Sequence, residues 1–164
     1  MDKDTKYIFS KFPARKENLL NILHALQDNH PSHCLPEATL AEVADYLNLP
    51  KSSVFGVATY YSMFSIKPRG RNIIRVCVSP VCNLMKGDEL LAALENLLGI
   101  KPGETTPCET FTLETSECLG FCVASPCMMV NRDVYGDLNE KKAQEIIEVF
   151  RNQTELPQSR NNHD

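Results

Sequence analysis

Four cysteines in two closely spaced pairs are the residues of this chain whose type and spacing could do chemistry. Four residues separate Cys77 from Cys82, and three residues separate Cys118 from Cys122. Cysteine thiolates are the soft ligands that proteins use to hold zinc, copper(I) and iron-sulfur clusters. The spacing therefore predicts that the two pairs converge on one metal centre with four thiolate ligands.

Among the kinds of site that cysteines form, an iron-sulfur cluster fits this spacing best. Such a cluster predicts that the protein carries electrons. Such clusters need thiolates on loops whose backbone amides can hydrogen-bond the sulfurs, and Gly120 lets the backbone approach closely with a positive φ. A structural zinc site stays an alternative, although zinc ribbons usually place two residues between paired cysteines. The sequence contains no Cys-x-x-Cys, and all four histidines lie outside the cysteine region. These absences disfavour a thioredoxin-type dithiol and a Rieske-type centre.

The other three cysteines, Cys34, Cys108 and Cys127, lie outside these two pairs. An unpaired cysteine most often behaves as a small buried hydrophobic residue, so we predict that all three are structural. Cys127 follows Pro126 shortly after Cys122, and it is the one of the three that could come near the metal centre.

The elements that must position the four ligands are predicted from residue 70 onwards. Residues 72–78 are rich in β-branched side chains and predict a strand, residues 87–100 a helix, and residues 111–117 a second strand. Two short strands at 128–131 and 133–137 and a final helix capped by Asn139 follow. A βαβ unit makes the first two strands parallel, so their ends meet at one edge of the sheet. The ligand pairs then lie in neighbouring loops.

The first 70 residues predict a helical bundle. Apolar residues recur at helical spacing within residues 15–29, again from Leu40 to Leu47, and a third time up to Phe64, where Ser52 or Ser53 could cap the helix. We therefore predict an α/β chain with three regions: a helical bundle at 1–70, a metal-binding domain at 71–150 and a disordered tail at 151–164.

Composition and charge limit the partners that this chain can have. The chain has 164 residues, 43% of them hydrophobic, and a net charge of −4. This net negative charge disfavours a nucleic-acid partner, because phosphate binding needs clustered Lys and Arg. The sequence shows no apolar run of membrane-spanning length and no signal peptide, so we expect a cytoplasmic protein without membrane insertion.

One segment of the bundle allows a different function. Residues 39–54, TLAEVADYLNLPKSSV, are similar to the two helices and turn of a DNA-binding helix-turn-helix. The alternative function is therefore a DNA-binding regulator that senses redox state through an iron-sulfur cluster. After Lys51, however, residues 52–64 offer no Arg, Lys, Asn or Gln to read base edges. Their aromatic residues suit a helical core or a protein-binding face, with Tyr60 and Phe64 as predicted docking contacts.

Three segments carry a family resemblance. The motifs RVCVSPVC, SECLGFCVASPCMMVNRDVYGDL and VFGVATYYSMF resemble the thioredoxin-like 2Fe-2S subunit of respiratory complex I. That subunit type also occurs in NAD(P)-linked and electron-bifurcating hydrogenases and in NAD-dependent formate dehydrogenases. The resemblance implies a thioredoxin-like ferredoxin domain after the helical bundle, with a 2Fe-2S cluster held by Cys77, Cys82, Cys118 and Cys122. Ser125 and Cys127 depart from the family pattern, which has Ala-Pro followed by apolar residues.

The same resemblance implies a role in an NAD(P)-linked oxidoreductase complex. The sequence contains no G-x-G-x-x-G motif, no P-loop, and no triad or paired carboxylates for catalysis. FMN and NAD(P) are therefore expected on a larger partner subunit, which stands beside further iron-sulfur subunits. A flavin divides the two electrons of a hydride, and this chain is expected to accept one of them at a time.

Overall fold

The computed structural model describes residues 3–155, which divide between Arg69 and Gly70 into two units. The sequence predicted a boundary at residue 70. The last helix continues to Glu155, so the first five residues of the segment predicted as a disordered tail are helical. The remainder of that predicted tail, residues 156–164, lies outside the described residues.

The first unit is built from four helices, α1 (Lys3–Lys11), α2 (Leu19–Asn29), α3 (Glu37–Leu47) and α4 (Lys51–Tyr60). The sequence predicted α2, α3 and α4 but not α1, in which Ile8 and Phe9 are the apolar residues that reach the core. The predicted serine caps of α4 are wrong, because the helix begins at Lys51 after Pro50 and has no side-chain cap. Phe64 lies beyond the end of α4 and is nevertheless buried.

The second unit contains a mixed four-stranded sheet. Its strands are β1 (Asn72–Cys77), β2 (Phe111–Ser116), β3 (Met128–Val130) and β4 (Asp133–Tyr135), in the order β2-β1-β3-β4. Strand β1 is parallel to β2 and antiparallel to β3. The parallel crossover predicted from the βαβ pattern is therefore confirmed.

Three helices complete this unit, α5 (Pro80–Leu84), α6 (Gly87–Leu98) and α7 (Glu140–Glu155). The predicted cap of α7 is confirmed, since Asn139 Oδ1 accepts a hydrogen bond from the Lys142 N–H at 2.9 Å. Every residue of β1 is buried, as expected for a strand with a neighbour on both sides. The core packs the sheet against α6 and α7 and contains Ile74, Val76, Leu90, Leu94, Phe111, Leu113, Met128, Val130 and Ile147, among others.

Within residues 3–155, none of the helices combines the length and the apolar composition needed to cross a membrane.

Candidate metal centre

The first predicted ligand pair lies on regular elements. Cys77 is the last residue of β1, and Cys82 lies within α5; both side chains are buried. The prediction that Cys82 lies in a loop is wrong. Pro80 begins the short helix, and the Asn83 N–H donates to the Ser79 carbonyl at 3.0 Å. A helix of five residues shows too little periodicity to be recognised in the sequence.

The second pair lies in the loop that follows β2. Cys118 and Cys122 are exposed, and their Sγ atoms are 3.3 Å apart. Between them, Gly120 has a φ of +76°, which confirms the predicted positive φ, and its N–H donates to Cys118 Sγ at 3.4 Å. Cys122 starts a 3-10 turn that runs to Ala124. The loop therefore presents two thiols and an amide donor on the same side.

The segments that carry the two cysteine pairs come together because β1 and β2 are parallel neighbours. Cys77 pairs with Ser116 at the ends of these strands, so the chain leaves both strands at one edge of the sheet. Leu119, inside the second loop, packs against the buried Cys77 and Cys82. The second loop therefore packs on the first pair through Leu119, whereas Cys118 and Cys122 themselves lie outside the close group of buried sulfurs in the described part of the chain.

A fifth thiol belongs to this centre. The Sγ atoms of Cys77, Cys82 and Cys127 all lie within 4.8 Å of one another, and the distance from Cys82 Sγ to Cys127 Sγ is 3.8 Å. Cys127 immediately precedes β3, and the pairing of β3 with β1 brings it beside Cys77. The sequence indicated Cys127 as the cysteine outside the two pairs that could come near the centre, because it follows Pro126 shortly after Cys122, and the structure places it there.

The thiols of this centre differ in proton affinity. Burial raises the pKa of Cys77, but hydrogen bonds from the Ser79 side chain and backbone and from the Leu119 N–H outweigh it and bring the pKa to about 7. Burial, together with the neighbouring Cys82, raises the pKa of Cys127 to about 12. The hydrogen bond with Cys118 raises the pKa of Cys122. Cys77 therefore loses its proton at a lower pH than Cys122 or Cys127.

This donor set fits a thiolate-bound iron-sulfur cluster. The close group of buried donors consists of cysteines alone, and the exposed pair adds two more sulfurs. The Gly120 N–H and the Leu119 N–H both approach ligand sulfurs, as clusters require to offset their negative charge. Buried sulfurs on one side and exposed sulfurs on the other would hold such a group partly shielded from water.

The remaining two cysteines behave differently from each other. Cys34 is buried, with its Sγ 3.5 Å from His30 Nδ1, which agrees with the predicted structural role. Cys108 is exposed, so its prediction as a buried structural residue is wrong. The Thr106 and Thr110 hydrogen bonds lower the pKa of Cys108 to about 7.

Similar proteins share both the cysteine domain and the preceding helices. A family model described as thioredoxin-like [2Fe-2S] ferredoxin matches residues 5–151. The chain is 44% identical over 139 residues to a subunit of NADH-quinone oxidoreductase from Aquifex aeolicus, covering 85% of this chain and 86% of the relative. It is 36% identical over 151 residues to a subunit of the same enzyme type from Rhizobium meliloti, covering 92% of this chain and 89% of the relative.

A solved structure shows the same fold. It is an NAD+-reducing [NiFe]-hydrogenase in the air-oxidized state, with a TM-score of 0.72 and 22% sequence identity. The match covers 85% of this chain but only 24% of the hydrogenase chain, so the present chain spans about a quarter of that length. At this identity, the likeness concerns the fold of the polypeptide.

Proposed function

Because the chain belongs to the thioredoxin-like [2Fe-2S] ferredoxin family, we propose that it is the one-electron carrier subunit of an NAD(P)-linked oxidoreductase complex. The predicted 2Fe-2S cofactor is confirmed by this membership together with the cysteine cluster, and the zinc alternative is set aside. The observation that carries the proposal is the arrangement at the ends of two parallel strands, where the loop that holds Cys118 and Cys122 packs through Leu119 on the buried Cys77 and Cys82.

Cys77, Cys82, Cys118 and Cys122 are the proposed ligands. When bound, the cluster supplies a site that stores and releases one electron. The buried pair excludes water from one side of the site, whereas the exposed pair leaves the other side open to a partner. Amide donors in the second loop stabilise the thiolate charge. The protein supplies binding and electrostatics here, and no acid-base group is needed.

The proposed partner is a larger subunit that binds FMN and NAD(P). This chain has no nucleotide-binding motif, so the hydride must be received elsewhere before single electrons reach it. The similar proteins are an NADH-quinone oxidoreductase subunit and an NAD+-reducing hydrogenase, which supports assembly into a complex of this class. The cytoplasm remains the proposed location, because a reducing compartment keeps seven cysteines free.

Exposed apolar side chains on the ligand-bearing elements support a docking face there. Leu84 of α5 is 85% exposed and Val123, next to Cys122, is 93% exposed. Of the two docking contacts predicted in the helical bundle, Tyr60 is 82% exposed and stays part of the proposal. Phe64 is only 7% exposed and packs in the core, so that prediction is wrong.

The alternative of a redox-sensing DNA-binding regulator is not supported. Family membership accounts for both the helices and the cysteine domain over residues 5–151. The helix that would read bases, α4, has no Arg or Asn and only Lys51 as a basic residue, at its first position.

Anaerobic purification with iron and sulfide analysis tests the cofactor and its ligands. We expect equal iron and sulfide and a paramagnetic signal in the reduced protein, and both should be lost in C118A and C122A. A zinc-containing chain without sulfide would overturn the proposal.

Affinity purification of the tagged chain under the same conditions tests the partner. A flavoprotein should co-purify, and retention of specific DNA without a flavoprotein would favour the regulator instead.

A further inference from the structure

We propose that Cys127 is a reserve cluster ligand, which binds iron together with Cys82 when Cys77 does not. This inference rests on the proposed function, because it concerns the same cluster site. It assigns a role to the one thiol of the centre that the four proposed ligands leave unused.

The distance between Cys82 and Cys127 is the first argument. Two thiolates on one tetrahedral metal ion, each with a metal-sulfur distance of about 2.3 Å, lie about 3.8 Å apart. The Sγ atoms of Cys82 and Cys127 are separated by 3.8 Å. This pair therefore has the separation that joint ligation of one ion requires, and the backbone need not move to create it.

The fixed position of Cys127 is the second argument. The residue after it, Met128, pairs with Val76, and the Cys127 carbonyl accepts a hydrogen bond from the Cys77 N–H at 3.2 Å. Cys127 is 1% exposed. Its thiol is therefore held by strand pairing beside the thiol that it would replace, where binding loses little conformational entropy.

The chemistry of replacement is a simple exchange of ligands. A bond forms between Cys127 Sγ and iron, the bond between Cys77 Sγ and iron breaks, and the proton that the Cys127 thiol releases is balanced by the proton that the Cys77 thiolate takes up. No electron is transferred, so the exchange needs no oxidant or reductant. The number of thiolates bound to the cluster stays the same.

Cys127 can replace a ligand only on the side of the centre where Cys77 lies. The close thiol group in the described part of the chain consists of Cys77, Cys82 and Cys127, without Cys118 or Cys122. Loss of Cys77 can therefore be compensated, whereas loss of Cys118 cannot. This asymmetry separates a reserve ligand from a generally tolerant site.

Cluster content in alanine variants tests the inference, since alanine offers no replacement donor atom. After anaerobic reconstitution, C77A should keep about half or more of the wild-type iron and sulfide, with a shifted paramagnetic spectrum. C77A/C127A and C118A should keep at least about tenfold less iron and sulfide than the wild type, because each lacks a fourth thiolate and even the loss of an outer-shell partner lowers metal affinity by about 10–100-fold. C77A/C108A is the matched control and should behave like C77A, because Cys108 is not in the close thiol group.

Two outcomes would overturn the inference: loss of the cluster in C77A as complete as in C118A, or equal retention in C77A and C77A/C127A. Should C77A not fold, cadmium titration of the cluster-free C77V and C77V/C127A chains decides, since valine also offers no donor atom and suits the end of a strand. We expect about tenfold weaker binding in C77V/C127A than in C77V, and equal binding in the two would refute the role of Cys127. A wild-type chain without iron would instead refute the proposed function, so the two failures are distinguishable.

Discussion

The packing of Gly136 against the ligand turn leads to a specific prediction for G136A. A Cβ at Gly136 would lie 2.6 Å from both the Cβ and the carbonyl oxygen of Ala124, and 2.7 Å from Phe121 Cε1. Ordinary contacts begin at 3.4 Å, so the turn must retreat by roughly 0.8 Å to admit one methyl group. Ala124 closes the 3-10 turn that begins at Cys122. The substitution therefore displaces Cys122, a proposed ligand, without changing its side chain.

The expected cost follows from overpacking. Extra atoms in a filled site usually cost about 1–3 kcal/mol, and here the obstructing atoms include backbone, which cannot rotate away. The Asp137 N–H also donates to the Ala124 carbonyl at 2.7 Å, and the retreat would lengthen this bond. We expect G136A to lower the free energy of unfolding of the cluster-free chain by about 1–3 kcal/mol in urea. The reconstituted variant should also lose iron faster than the wild type.

G56A is the matched control for this experiment. A Cβ at Gly56 meets nothing within 4 Å, and the residue lies inside α4. Alanine there should therefore stabilise by about 0.5–1 kcal/mol. The reasoning is refuted if G136A unfolds at the wild-type urea concentration and gives an unchanged cluster spectrum. It is also refuted if G56A destabilises as much as G136A.

Three further predictions concern other parts of the chain. The rate of alkylation of Cys108 should rise through about pH 7 rather than near the ordinary thiol pKa of 9.0, because the Thr106 hydrogen bond lowers the pKa of Cys108. Mass spectrometry of the alkylated chain across a pH series checks this, and T106V should move the midpoint of the rate increase to higher pH. E114A should lower the free energy of unfolding in urea by about 1–3 kcal/mol, since it removes a carboxylate 2.9 Å from the buried Arg75 Nε; an unchanged unfolding midpoint would contradict it. Q27L should lower the free energy of unfolding by about 2–4 kcal/mol, because the Gln27 side chain makes hydrogen bonds to two backbone groups, at 2.9 and 2.8 Å. An unchanged midpoint of thermal unfolding would refute this.

Much of the second unit was predictable because its elements have strong local patterns. The β-branched run of β1 and the alternation in β2 predicted both strands, and the helix between them predicted a crossover that makes them parallel. The end of β1 at Cys77 and the loop after β2 then placed both cysteine pairs at one edge. Asn139 was recognisable as a cap from its position before an amphipathic helix.

The missed features depend on tertiary contacts. Helix α1 has charged residues at many positions, and its two core residues become informative only once α2 and α3 are present to receive them. Cys127 is separated from Cys82 by 44 residues, and only the antiparallel pairing of β3 with β1 brings their sulfurs together. The burial of Phe64 beyond the end of α4 likewise depends on how the chain turns after the helix.

Because β1 lies in the middle of the sheet, the colour that a bound iron-sulfur cluster gives the protein would report whether the strands have paired correctly. One neighbouring strand leads into the exposed cysteines and the other follows directly after Cys127, while β1 itself ends in Cys77. A slip of one residue in strand pairing turns every side chain to the opposite face. A chain with misaligned strands would thus separate its sulfurs and stay colourless, so visible absorbance would distinguish properly paired molecules during production.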